Sequence, residues 1–217
     1  MIQWLPKVLL SIALLGLTGV YAPLIQADTY NDVLRAVEMN FAKEVNGLLK
    51  KGVDVDTTNQ EGESLLLMAC KAGNRDVVEV LLNAKANVNL LNQWGESAIM
   101  LASLKGYTSI VKLLHSHGAH IEKRGWNAFM YAAANGHLDI LRFLFEQGAK
   151  LNSYSENGTT ALMMAAREGQ TEAVLWLMSK GADINHKSDS GYTPMKVAKM
   201  RGMEDIVKLL SKAGAKE

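Results

Sequence analysis

The sequence predicts an all-α solenoid of stacked helix-turn-helix units joined by short hairpin or loop fingers. Three observations predict it. Twelve-residue blocks recur as GESLLLMACKAG from Gly62, GESAIMLASLKG from Gly95, GWNAFMYAAANG from Gly125, GTTALMMAAREG from Gly158 and GYTPMKVAKMRG from Gly191, so the turn glycines are 33, 30, 33 and 33 residues apart. A second glycine series follows in phase at Gly73, Gly106, Gly136, Gly169 and Gly202. A third feature precedes each block: KKGVDVD, NAKANVN, SHGAHI, EQGAKLN and SKGADIN. Self-similarity at such a period marks a repeat architecture, in which each unit buries its apolar face only against its neighbours.

The first helix of each unit starts at Ser64, Ser97, Asn127, Thr160 and Thr193, whose side chains can accept from orphan backbone donors. Pro194 suits the first helical position, where its missing donor would be unpaired in any case. Ala69, Ala102, Ala132, Ala165 and Ala198 keep these helices slim enough to approach one another. Cys70, the one cysteine, falls beside Ala69 in a small-residue slot and reads as a minor core hydrophobe, with no intramolecular disulfide available.

Second helices carry apolar pairs one turn apart: Val77-Val78 with Leu81-Leu82, Ile110-Val111 with Leu114, Ile140-Leu141 with Leu144, and Ile206-Val207 with Leu210. Gly52, Gly118, Gly148, Gly181 and Gly214 end them in the left-handed position that helix termini favour, with Lys85 standing in the same slot. Six units result, over 28–58, 59–91, 92–121, 122–154, 155–187 and 188–217. The first fits the pattern only from Ala42 onward and serves as the N-terminal cap. The last, with Lys196, Lys199 and Arg201 on its first helix, is the C-terminal cap. The shorter interval is traced to the finger after Gly118, which lacks three residues and leaves the helices whole.

Ahead of the repeats, Lys7 is the single charge before an apolar run from Val8 to Val20, and Ala27 offers a small residue at a cut. Residues 1–27 therefore read as a signal peptide cleaved after Ala27, which expects a periplasmic or secreted protein with no membrane segment after processing. The chain has 23 basic and 22 acidic side chains, and losing Lys7 leaves the mature part neutral. Neutrality argues against nucleic acid, which needs a concentrated surplus of Lys and Arg. No phosphate loop, nucleophile elbow or placed Cys-His pair is found, so a non-enzyme without cofactor is expected. His115, His117 and His120 lack a zinc-site spacing. His115 falls on the seam that elsewhere holds Leu82, Phe145 and Met178, and no metal site is expected.

The repeat blocks resemble the ankyrin family. Thr193-Pro194-Met195-Lys196 is nearest to its T-P-L-H signature, and Thr160-Ala161-Leu162-Met163 is a degenerate copy. The family's histidine is missing, its slot being filled by Leu67, Met100, Met130, Met163 and Lys196, so the inter-unit hydrogen bond it makes must be replaced, with methionine packing as the substitute. The resemblance implies a protein-protein interaction module that binds with its loop tips and the concave face of its first helices. Carried onto matching positions, it nominates Trp94, Lys105, Arg124, Trp126, Asn157, Arg167 and Tyr192 as partner-binding, with Trp94, Arg124 and Trp126 adjacent on the floor of a notch left by the short finger. Neighbouring positions such as Glu63 belong to the same set. Trp, Tyr and Arg are the residue types that dominate binding hot spots. The expected function is a periplasmic adaptor or inhibitor of a protein partner. The alternatives are an immunity-type protein that neutralises a toxin, and a solenoid that binds a small ligand or a metal. Partner identity and oligomeric state are not legible.

Overall fold

A computed structural model describes residues 27–122 and 125–217 of the chain. Residues 1–26 of the segment read above as a signal peptide, and Arg124, lie outside these residues. Among them are twelve helices in consecutive pairs and no strands. The pairs are α1 (Ala27–Glu38) with α2 (Ala42–Lys50), α3 (Leu65–Ala72) with α4 (Arg75–Asn83), α5 (Ala98–Lys105) with α6 (Thr108–Ser116), α7 (Ala128–Ala134) with α8 (Leu138–Glu146), α9 (Ala161–Arg167) with α10 (Thr171–Ser179), and α11 (Pro194–Met200) with α12 (Glu204–Lys212).

Helices this short are unstable alone, so packing must hold them. The first helices stack closely on one another, α3 on α5, α5 on α7, α7 on α9 and α9 on α11. Ala69, Ala102, Ala132, Ala165 and Ala198 are fully buried at these contacts. Each helix starts where its cap residue stands. Ser64, Asn127, Thr160 and Thr193 accept from the backbone N–H three residues on, and Pro194 is the first helical residue. Ser97 occupies the cap position with no side-chain bond. In the second helices Val77, Val78, Leu81 and Leu82, then Ile110, Val111 and Leu114, then Ile140, Leu141 and Leu144 turn inward as the apolar spacing requires. Lys85, in the slot held by glycine elsewhere, has φ 68°.

The N-terminal unit differs from the sequence reading, which found only its second half. Helix α1 is present and buries Val33, Ala36 and Val37. Asn40 takes the left-handed turn at φ 58° in the slot that holds glycine in the other units. Asparagine tolerates that conformation better than most side chains, so the turn survives without glycine.

Two hydrogen-bond series join the units. In the first, the side chain four residues after each helix-ending position accepts from a backbone N–H of the next unit. Asp56 Oδ1 accepts from Asn87 at 2.9 Å, Asn89 Oδ1 from His120 at 2.9 Å, Glu122 Oε1 from Lys150 at 2.9 Å, Asn152 Oδ1 from Asp183 at 3.0 Å and Asn185 Oδ1 from Lys216 at 2.7 Å. Five rungs span six units. Glu122 keeps its rung, so the missing residues of the short finger lie beyond it and the stack is continuous. In the second series, the residue before three of the second helices, α4, α8 and α10, reaches back to the preceding unit. Asn74 Nδ2 donates to Val37 O at 2.7 Å, His137 Nε2 to Leu104 O at 3.1 Å and Gln170 Nε2 to Ala134 O at 3.2 Å. Together with Met100, Met130 and Met163, all fully buried, these bonds stand in for the absent histidine link.

The fingers pack on one another as well. Three carry an isolated antiparallel bridge, Thr58 to Ser64, Leu91 to Ser97 and Tyr154 to Thr160. At Gly158, φ is +75° and a Cβ would approach the backbone atoms Asp189 N and Ser188 Cα of the next finger to 3.0 Å. Gly62 has φ +74° but nothing near its Cβ direction. Gly158→Ala therefore combines strain of about 1–2 kcal/mol with a backbone clash, whereas Gly62→Ala carries the strain alone. Thermal denaturation of the two variants should rank Gly158→Ala clearly lower, and equal midpoints would refute the finger contact.

Candidate interaction surface

The first helices and the finger residues that precede them form one face, and two clefts lie along it. One, of about 330 Å³, is lined by Leu104, Trp126, Tyr131, Ala134, Asn135, Met164, Arg167, Glu168 and Gln170. The other, of about 260 Å³, lies between α9 and α11, with Asn157, Arg167, Tyr192, Met200 and Arg201 in its lining. Arg167 and Met164 border both, which makes the clefts a continuous groove with lining residues from four units.

Four of the nominated residues thus meet in the groove: Trp126, Asn157, Arg167 and Tyr192. Trp126 is half-buried, its ring tilted against Tyr131 with centroids 5.5 Å apart. The Tyr131 hydroxyl donates to Glu96 Oε1 at 2.9 Å, while Asn92 Nδ2 donates to the other oxygen of the same carboxylate at 3.0 Å. Burial, then the hydrogen bond to Glu96, holds the Tyr131 phenol above its ordinary pKa, so it stays neutral and keeps its bond at physiological pH. The indole therefore rests on a ring that is itself tied to the neighbouring finger.

Asn157 is exposed at a finger tip, its Oδ1 accepting from Ser155 Oγ at 2.5 Å and Thr159 Oγ1 at 2.8 Å. Arg167 Nε bonds Glu168 Oε1 at 2.7 Å. Tyr192 receives the Lys196 ammonium 4.9 Å from its ring centroid. Trp94 is 61% exposed and Lys105 is exposed, and neither lines either cleft.

Glu63, expected on the binding face, is only 4% exposed. Its carboxylate accepts from Lys71 Nζ at 2.8 Å and from Asn59 Nδ2 at 3.2 Å, and the bond to Glu63 raises the Lys71 pKa. A finger carboxylate with two such donors turns inward and is structural. Asn59 and Asn92, four residues ahead of Glu63 and Glu96, were a readable signal of it.

The histidines are engaged separately. His115 packs edge-on against Phe143 at 5.5 Å, His117 Nδ1 lies 2.9 Å from Leu113 O, and His120 donates its backbone N–H to Asn89. Among the described residues no three His, Cys, Asp or Glu side chains are grouped to hold a metal ion, and no helix is long and apolar enough to cross a membrane. Burial pushes the Cys70 thiol well above its ordinary pKa, which leaves it unreactive. Trp176 packs against Phe129 and Phe145, with ring centroids 6.3 and 5.6 Å apart.

The family described as ankyrin repeats in three copies matches residues 33–124, 76–155 and 130–217. No curated protein sequence matches the chain. Among solved structures, a chain from the Bd0816 predatory endopeptidase of Bdellovibrio bacteriovorus in complex with immunity protein Bd3460 is 30% identical at a TM-score of 0.75, the match covering 83% of this chain and 97% of that one. The human ASB11 ankyrin repeat domain is 22% identical at a TM-score of 0.78, covering 85% of this chain and 84% of that one, a likeness of fold. Repeat blocks in phase, paired helices stacked through their first members, and family matches that together run from residue 33 to residue 217 have one reading: the chain belongs to the ankyrin repeat family, whose repeats are protein-protein interaction modules.

Proposed function

We propose that this protein is an exported, non-catalytic inhibitor that holds an endopeptidase on its concave first-helix face, in the manner of an immunity protein. The observation that carries the reading is the groove in which Trp126, Arg167 and Tyr192, from three successive units, line one continuous surface. These side-chain types supply most of the energy of known interfaces when clustered at a centre. The clefts, about 330 and 260 Å³, lie at or below the small end of pockets that enclose drug-sized ligands, roughly 300–1,000 Å³, which favours a protein surface over a small molecule. The similarity to a chain from a complex of an endopeptidase with an immunity protein supports inhibition over passive tethering.

Affinity capture from a periplasmic extract of the source organism, with the mature protein as bait, tests the reading. The expected result is an endopeptidase whose peptide hydrolysis falls to a few per cent when the mature protein is added at equal concentration. A captured partner that is no peptidase, or a peptidase that stays active in the complex, overturns it.

Export is part of the same proposal. The charge, apolar run and small terminal residue of Met1 to Ala27 support processing after Ala27, so intact-mass measurement on secreted protein should read a chain beginning at Asp28. A mass that includes Met1 to Ala27 would defeat it.

A further inference from the structure

We propose that the part of the groove between α9 and α11 takes an acidic side chain flanked by apolar residues, presented on the docking segment of the partner. The inference rests on the inhibitor reading above and names the chemistry that face selects. Arg167 and Arg201 border this cleft, and the Lys196 ammonium stands over Tyr192, another of its lining residues. No carboxylate lines it. Glu168 is the one acid in the adjoining cleft, and it is bonded to Arg167 Nε. That bond uses only one edge of the guanidinium. Arg201 has no ion pair among the described residues. Asp189, on the next finger, is turned aside, with its side chain beside Gly158 and its N–H bonded to Asn157 O at 3.1 Å.

Exposed arginines are stable in water and alone identify nothing. Here they border an apolar floor: Met163 and Met164 are buried beneath the cleft, Val197 is half-buried, and Met200 is 63% exposed and without cover. An isolated carboxylate on exposed arginine gains little against water. One carried between apolar neighbours would cover Met200 and exclude water, and the forked geometry of arginine then rewards a carboxylate in two parallel bonds. Charge complementarity and the uncovered methionine thus select the same occupant.

Capture is to be repeated with the mature Arg167→Glu/Arg201→Glu protein, and with Lys208→Glu on α12 as a charge control remote from the groove. Both arginines are exposed, and circular dichroism checks that the variant is folded. The expected result is partner capture at least tenfold weaker for the double variant and unchanged for the control, with wild-type capture weakening between about 0.05 and 0.5 M salt. Replacement of Met200 by p-benzoylphenylalanine followed by photo-crosslinking should map to a partner segment that holds Asp or Glu next to an apolar residue. Equal capture by the double variant, or cross-links to a neutral or basic segment, overturns the inference and leaves the inhibitor reading standing. If wild type captures no protein, the inhibitor reading falls and this inference falls with it.

Discussion

Leu141→Ala should destabilise the protein by about 2–5 kcal/mol, visible as a lower denaturant midpoint. Leu141 is fully buried in α8, within a central unit, and its side chain belongs to the apolar seam shared with units on both sides. Truncation removes transfer energy and leaves a cavity that the stacked helices, held by close Ala contacts and by the inter-unit bonds, can close only in part. A solenoid's stability is a sum of unit and interface terms, so a weak central unit also loosens the coupling between the two halves. The same truncation at Leu210, equally buried but in the terminal unit, should cost less because only one neighbour depends on it. Chemical unfolding of both variants decides it. A Leu141→Ala midpoint equal to wild type, or a larger loss at Leu210, would show that the seam is not continuous through α8.

Much of this architecture is legible because its determinants are local. Cap residues at Ser64, Asn127, Thr160 and Thr193, left-handed glycines and the Lys85 substitute each act within a few residues, so their spacing in the chain is their spacing in the fold. Helix α1 escaped because the turn after it uses Asn40 instead of glycine. The rungs from Asp56, Asn89, Glu122, Asn152 and Asn185 also recur in phase, but each partner is a backbone N–H about one repeat away. A short polar side chain at one position does not reveal such a bond. Nor does position alone decide exposure on the binding face. Glu63 is buried because Lys71 and Asn59 donate to it, whereas Trp94, two residues before the equivalent Glu96, stays in solvent. The resemblance could nominate both kinds of position, and the donors within the unit, Asn59 and Lys71 for Glu63, separate them.

Trp126→Ala should weaken partner capture by about 2 kcal/mol, close to thirtyfold, because the indole is a preorganised anchor. Its ring rests on Tyr131, and Tyr131 is fixed by its bond to Glu96, so little side-chain freedom remains to be lost on binding. The same packing means that folding must feel the change. A fully buried Trp loses about 3–5 kcal/mol on truncation to Ala, and for a half-buried ring about 1–2 kcal/mol is expected. Thermal unfolding should therefore shift down by a few degrees while the protein stays folded at the temperature of the binding assay. Trp94→Ala separates the two effects. At 61% exposure its removal should change stability by no more than about 0.5 kcal/mol, so any loss of capture there reports contact alone. If Trp126→Ala is folded and captures the partner as well as wild type, the indole is only a brace for Tyr131 and the binding centre lies farther along the groove, toward Arg167 and Tyr192. If Trp94→Ala weakens capture as strongly as Trp126→Ala, the partner spans the finger row as well as the groove.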